Sequence, residues 1–177
     1  MYALKVIEKT KIVEEKLREC IKTEIQTMRL LRHPYVVKLY EVMTSTRGVI
    51  LVMEYIKGCD FFDKIMNNEQ KHLSEDESRL YFQQMVQALQ YCHSLNIIHR
   101  DIKPQNILYD SDNNCIKIVD FGLSALLNEK DQKIRELGGT TSYLAPEIFS
   151  MSSGYNGQAS DVWSIGVLLY NLCTGRK

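Results

Sequence analysis

Between Ile97 and Gly122 the chain reads IIHRDIKPQNILYDSDNNCIKIVDFG, and its polar residues are of types that handle phosphate and metal. His99, Arg100, Asp101, Lys103 and Asn106 come first, and Asp120, Phe121 and Gly122 follow. Between them, Ile107-Leu108-Tyr109 and Ile116-Lys117-Ile118-Val119 read as two short strands, separated by the turn formers Asp110-Ser111-Asp112-Asn113-Asn114. A hairpin here folds the chain back and sets Asn106 close to Asp120, with Asp101 a few residues upstream. An Asn and a carboxylate side by side offer hard oxygen ligands, which suit Mg²⁺. Asp101 and Lys103 add a second carboxylate and a cation. Together these residues suit phosphoryl transfer, which needs a metal clamp, a cation on the phosphate and a group that orients the attacking hydroxyl.

Other segments must hold this stretch in place. Tyr2 to Ile7 alternates as a strand should, with Lys5 pointing opposite to Leu4 and Val6. Taken alone, that is an ordinary strand with a solvated lysine. A charged segment, Glu8 to Lys16, follows. From Glu14 to Leu31 the apolar residues Leu17, Ile21, Ile25 and Met28 recur every three or four positions, which predicts a helix. Glu24 sits at the edge of that stripe, where a carboxylate needs a partner, and Lys5 is the obvious candidate. Pro34 ends the helix, since the residue before proline disfavours α geometry. Val36 to Met43 and Val49 to Ile56 read as two further strands joined by Thr44-Ser45-Thr46-Arg47-Gly48.

Asp60 precedes Phe61-Phe62-Asp63-Lys64-Ile65 as a helix N-cap would. Ser74-Glu75-Asp76-Glu77 is a capping box opening a helix that runs to about Leu95. Leu123 to Thr140 shows no core periodicity and reads as a long mobile loop. A Gly/Ser-rich loop, Ser150 to Gln158, leads to a final helix. That helix begins at Asp161 and is apolar on nearly all sides, hence buried.

Composition bounds the reading. The 177 residues suffice for one ordinary domain, with 45% hydrophobic and 25% charged residues, the balance of a soluble globular protein. Lys+Arg and Asp+Glu are equal at 22 each, so there is no electrostatic footprint for nucleic acid or an anionic membrane. The apolar run near Ile165 to Leu172 is too short to span a bilayer, and the charged N-terminus is no signal peptide. The five cysteines are scattered without a C-x-x-C pair and read as reduced thiols; the four histidines lack zinc spacing.

His99-Arg100-Asp101-Ile102-Lys103-Pro104-Gln105-Asn106 resembles the catalytic loop of the eukaryotic protein kinases, and Asp120-Phe121-Gly122 their metal-binding triplet. Ala3-Leu4-Lys5 is similar to the end of their V-A-I-K motif, with Glu24 as its helix partner, and Gly139 to Glu147 resembles the end of their activation segment. The resemblance implies an α+β, bilobal fold. Residues 1–56 would form a partial N-lobe, an antiparallel sheet plus one helix, and residues 57–177 a partial, mainly helical C-lobe. It implies ATP and Mg²⁺ as cofactors. In such a kinase Asp101 orients the substrate hydroxyl, Lys103 neutralises the transferred phosphoryl group, and Asn106 and Asp120 bind the metal. Lys5, clamped by Glu24, holds the α- and β-phosphates. Ala3 and Leu108 sandwich adenine, with Met53 gating the back of the pocket. The Glu54 carbonyl and Ile56 amide bond adenine, and Asp60 reaches the ribose. Arg100 pairs with an activation-loop phosphate, while His99 and Phe121 stack with Met28 and Leu39 as packing residues. Asp161 bonds the catalytic-loop backbone.

Lys103 and Thr140 point to the Ser/Thr class, hence to protein substrates with Ser/Thr acceptors. Gln105 and Asp60 bear weakly on a basic residue upstream of the target. The overall similarity is to calcium/calmodulin-type and calcium-dependent kinases, which implies that type of regulation through regions outside this sequence and a cytoplasmic, or nuclear, setting. Glu136, four residues before Thr140, stands where many kinases carry a phosphothreonine and would supply a fixed carboxylate to Arg100. No G-x-G-x-x-G occurs in the sequence. The expectation is therefore a fragment of a working kinase, of low stability and doubtful activity by itself. The alternative is a catalytically inactive kinase-like interaction module.

Overall fold

A computed structural model describes residues 1–11, 15–127, 133–150 and 153–176. The expected helix start at Glu14 and parts of the expected loops at 123–140 and 150–158 lie outside those residues.

Strand β1 (Tyr2–Glu8), β2 (Leu39–Thr44) and β3 (Gly48–Glu54) form an antiparallel sheet in the order β1-β3-β2. Their β-branched and aromatic residues suit a pleated, half-buried surface. Lys5 pairs with Leu51 and Ala3 with Met53 across the sheet. In β1 the half-buried face is that of Ala3, Lys5 and Ile7, whereas Leu4 and Val6 are exposed. Lys5 thus turns inward, as its expected pairing with Glu24 requires.

Helix α1 (Glu15–Leu30) buries Ile21, Glu24, Thr27 and Met28, although Leu17 is exposed. The expected strand at Val36 to Met43 begins later, at Leu39. Val36 instead makes an isolated parallel bridge to Ile118, and Val37 N–H donates to the Ile118 carbonyl at 3.0 Å. The second expected strand stops at Glu54, two residues before Ile56.

Beyond it, β4 (Gly58–Asp60) pairs with β6 (Ile107–Asp110), which pairs with β7 (Cys115–Ile118) in the expected hairpin. Gly58 allows this pairing, since a Cβ there would meet the Tyr109 carbonyl oxygen at 1.9 Å. Asp60 caps α2 (Phe61–Met66), accepting from Asp63 N–H at 2.9 Å. Ser74 and Glu77 form the predicted capping box of α3 (Glu75–Ser94). One hydrophobic cluster runs from Met28 and Leu51 through Tyr81, Met85 and Phe121 to Leu168 and Leu172.

Three expectations fail around the last third of the chain. The loop read over Leu123 to Thr140 contains β8 (Ala125–Leu126), paired with β5 (Ile97–Ile98), and β9 (Lys133–Ile134), paired with β10 (Tyr155–Asn156). Ile134 anchors a second small core with Ile98, Ala145, Ile148 and Tyr155. Two-residue strands leave no periodicity to read. The final helix, α4 (Gly157–Thr174), starts at Gly157 behind an Asn156 N-cap, so Asp161 lies inside it. Nor is α4 buried all round, because Val162, Trp163 and Tyr170 are exposed.

Candidate active site

The alternation of β1 aims Lys5 at α1. Its Nζ lies 2.6 Å from Glu24 Oε1 and 2.9 Å from Asp120 Oδ1. Burial pushes the Lys5 pKa down, but these two carboxylates outweigh it and hold the pKa above the ordinary lysine value. At Asp120, burial raises the pKa; Lys5 and the Gly122 N–H outweigh that and hold it below the usual carboxylate range. Asp120 adopts φ 61°, a left-handed backbone that non-glycine residues take at a cost, as sites of function often do. Next to it, Phe121 is fully buried against His99, the ring centroids 4.8 Å apart. The His99 ring bonds the Val119 carbonyl through Nε2 and accepts from Asp101 N–H at Nδ1. Both ring nitrogens are spent on backbone, as a packing residue requires.

The catalytic-loop stretch is held from below. Asp161, 1% exposed, accepts from His99 N–H and Arg100 N–H at 2.9 Å each, and His93 Nε2 lies 2.9 Å from the same carboxylate. Arg100, at φ 70°, is a second strained residue. Its guanidinium donates to the Glu136 carbonyl at 2.9 Å, while the Glu136 carboxylate stands 3.9 Å from Nη1.

Asp101 is held by three side chains. Oδ2 lies 2.7 Å from Lys103 Nζ and accepts from Asn106 Nδ2 at 2.9 Å, and Oδ1 accepts from Thr140 Oγ1 at 2.7 Å. Lys103 Nζ also donates to Thr140 Oγ1 at 2.9 Å. Burial pushes the Asp101 pKa up, but Lys103, Thr140 and Asn106 outweigh it and keep the group below the usual range. Thr140 reaches Asp101 because Gly139 precedes it at φ 104°, with the Arg100 carbonyl oxygen 2.4 Å from where a Cβ would sit. The sequence pointed to Thr140 only as a mark of substrate class; a pairing across 39 residues leaves no local signal.

The hairpin joins the two halves. Val119 N–H donates to the Asn106 carbonyl at 3.0 Å, which sets Asn106 next to the segment carrying Asp120. Asn106 Nδ2 is committed to Asp101, at its carbonyl and at Oδ2, which leaves the amide oxygen as the free acceptor. Among the described residues no group of three His, Cys, Asp or Glu forms a metal cage. Mg²⁺ needs none, since it commonly takes one or two protein oxygens plus substrate phosphates, and the Asn106 and Asp120 oxygens fit that donor set.

A cavity of about 240 Å³ brings Ile56, Asp60 and Leu108 together with Cys59 and Gln105. Ala3 and Glu54 do not line it. Ala3 lies on β1, on the same face as Lys5. The Glu54 carboxylate accepts from Lys117 Nζ at 2.7 Å and from Lys38 N–H at 3.1 Å.

Over residues 1–177 the chain matches the protein kinase domain. It belongs to the protein kinase family. Curated relatives include CBL-interacting serine/threonine-protein kinase 3 of Arabidopsis thaliana, 47% identical over 179 residues, covering 98% of this chain and 39% of that protein. CBL-interacting protein kinase 33 of Oryza sativa subsp. japonica is 45% identical over 175 residues, covering 98% and 38%. This kinase domain chain thus spans about two fifths of the length of the curated relatives it matches. Its α+β arrangement, an antiparallel sheet with α1 followed by a mainly helical part, is that of the family. Members generally use ATP and Mg²⁺.

Proposed function

We propose that the protein containing this chain is a serine/threonine protein kinase that transfers the ATP γ-phosphoryl group to Ser or Thr hydroxyls of protein substrates. The observation that carries the reading is the Asp101–Thr140–Lys103 arrangement. A threonine hydroxyl donates to the Asp101 carboxylate while accepting from the Lys103 ammonium. A substrate hydroxyl needs the same two contacts, a carboxylate to orient it and a cation for the charge on the group it attacks.

Bound Mg²⁺–ATP would supply the phosphoryl group and neutralise the charge that develops on it. The chain's own residues do the rest. Lys5, fixed by Glu24, presents an ammonium to the phosphates. Asp120 and the Asn106 amide oxygen would hold the metal. Asp101, kept ionised by its neighbours, accepts the hydroxyl's hydrogen bond, and Lys103 covers the phosphoryl charge. Ile56, Asp60 and Leu108 surround the nucleoside, with the Glu54 backbone and Ala3 beside it. Asp60 already caps α2 through Oδ1, and its second oxygen is the one assigned to the ribose.

The relatives are named for interaction with CBL, and we assign a regulatory protein partner of that kind to this protein as well. Calcium/calmodulin-type control and a cytoplasmic setting remain part of the same proposal. The test is phosphate transfer from radiolabelled ATP to a generic Ser/Thr protein substrate, with Asp101→Asn as control. Transfer that Asp101→Asn reduces by about 10³-fold or more supports the reading. Nucleotide binding without transfer favours a kinase-like interaction module instead.

A further inference from the structure

A groove of about 310 Å³ lies at the end of β3, where Glu54 meets Lys117. Arg32, Lys38 and Lys117 line it, with Glu54 as the only carboxylate of its wall, so the lining carries two positive charges in excess on a chain of zero formal charge. Lys117 is committed to Glu54. Arg32 and Lys38 are not ion-paired among the described residues. The Arg32 guanidinium donates to the Met28 and Leu31 carbonyls, and the Lys38 ammonium sits 5.0 Å from the Tyr40 ring centroid. Burial and the Lys117 charge push the pKa of His33, a fourth lining residue, down, so it adds no positive charge at neutral pH. Tyr40, on the edge strand β2, lines the groove and is exposed.

We propose that this groove is a docking site for an acidic peptide segment, one anionic side chain of which seats between Arg32, Lys38 and Lys117. Charge complementarity selects the anion. The exposed Tyr40 side chain on its wall suits an apolar neighbour of a peptide residue better than a free inorganic ion. The anion competes with Glu54 for Lys117. Docking does not rest on the proposed kinase function.

The test is fluorescence anisotropy with three labelled peptides of one sequence, carrying Glu, phosphoserine or Gln at the central position. Each is titrated with the protein and with Arg32→Gln/Lys38→Gln and Arg32→Glu/Lys38→Glu variants. Both pairs of positions are exposed, and circular dichroism checks that the variants stay folded. The Glu or the phosphoserine peptide binds and the Gln peptide does not, and which of the two binds identifies the anion. The neutralised variant weakens binding about tenfold, the reversed variant more, and added salt weakens it further. Equal binding of the Gln peptide, or binding indifferent to both variants, overturns the proposal. So does competition-sensitive binding of inorganic tripolyphosphate with no binding of either acidic peptide. A protein that docks the peptide but fails to transfer phosphate would retain this site and lose only the kinase reading.

Discussion

Thr140 Oγ1 donates to Asp101 Oδ1 over 2.7 Å, joining the loop after β9 to the loop before β6. The same oxygen accepts from Lys103 Nζ at 2.9 Å, so one hydroxyl fixes both an anion and a cation of the site. Thr140→Ala removes that link and frees both side chains to drift. It should lower kcat about 10–100-fold, as loss of orientation does, while Thr140→Ser, which keeps the hydroxyl, retains most activity. Steady-state kinetics on the two variants checks this; equal loss in both would show that the methyl group, not the hydroxyl, matters.

Lys5 is held by Glu24, itself 4% exposed, and by the more exposed Asp120. Glu24→Gln keeps the shape and removes the buried charge. The Lys5 ammonium then leans toward Asp120 and no longer stands where phosphates would meet it. The expected result is a rise in KM for ATP together with a fall in kcat, about tenfold or more in kcat/KM. Kinetics at varied ATP, with circular dichroism as the folding check, separates this from simple unfolding.

Asp161 is the structural counterpart of these groups. It touches no reacting atom but accepts from two successive backbone N–H groups, those of His99 and Arg100. Asp161→Ala leaves both donors buried without an acceptor and should cost about 3–5 kcal/mol of stability. Asp161→Asn keeps one side-chain oxygen and should cost less. Urea titrations of the two variants measure the difference. A loss under about 1 kcal/mol in Asp161→Ala would mean that water replaces the carboxylate freely.

Much of this site was legible because its chemistry is local. Asp101, Lys103 and Asn106 lie within six residues, and the turn formers between Asp110 and Asn114 announce the hairpin that carries Asp120. Helices α1 and α3 announced themselves through apolar spacing and a capping box. What stayed hidden depends on distant partners. Nothing near Thr140 signals Asp101. The Lys5–Glu24 pairing was readable from the place of Glu24 beside the apolar stripe, but the contact of Lys5 with Asp120, far along the chain, was not. The two-residue strands β8 and β9 are defined by pairing with β5 and β10, not by any pattern of their own. The start of α4 was misplaced because Gly157 and Gln158 read as the end of a loop, although Asn156 caps the helix there.

Glu136 offers a test of regulation. Its backbone carbonyl, not its carboxylate, takes the short bond from Arg100; the carboxylate stands 3.9 Å away and the side chain is 68% exposed. A pair this long, with one partner largely in solvent, contributes about 0.2–1 kcal/mol. Glu136→Ala should therefore lower activity by no more than about fivefold, since the backbone contact survives. Phosphatase treatment of the wild-type protein should leave activity largely intact, because the carboxylate already supplies the anion. Activity that vanishes on phosphatase treatment would assign control to a phosphorylated residue elsewhere.

The carboxylates of Asp101 and Asp120 both titrate below the ordinary aspartate value. A depressed folded-state pKa means that the unfolded chain binds the proton first as pH falls. Their contribution to stability is therefore complete above about pH 5 and is lost as pH drops below about 4, through the folded-state values. Asp101, 8% exposed, should carry most of it; the Asp120 side chain is half exposed and solvent screens its pairing with Lys5. Urea stability followed from about pH 6 to pH 3 should fall less steeply in Asp101→Asn than in the wild type, because the variant has no proton to take up there. Parallel curves would show that Lys103 and Thr140 do not hold the Asp101 proton off in the folded protein, and that the acid sensitivity lies with other carboxylates.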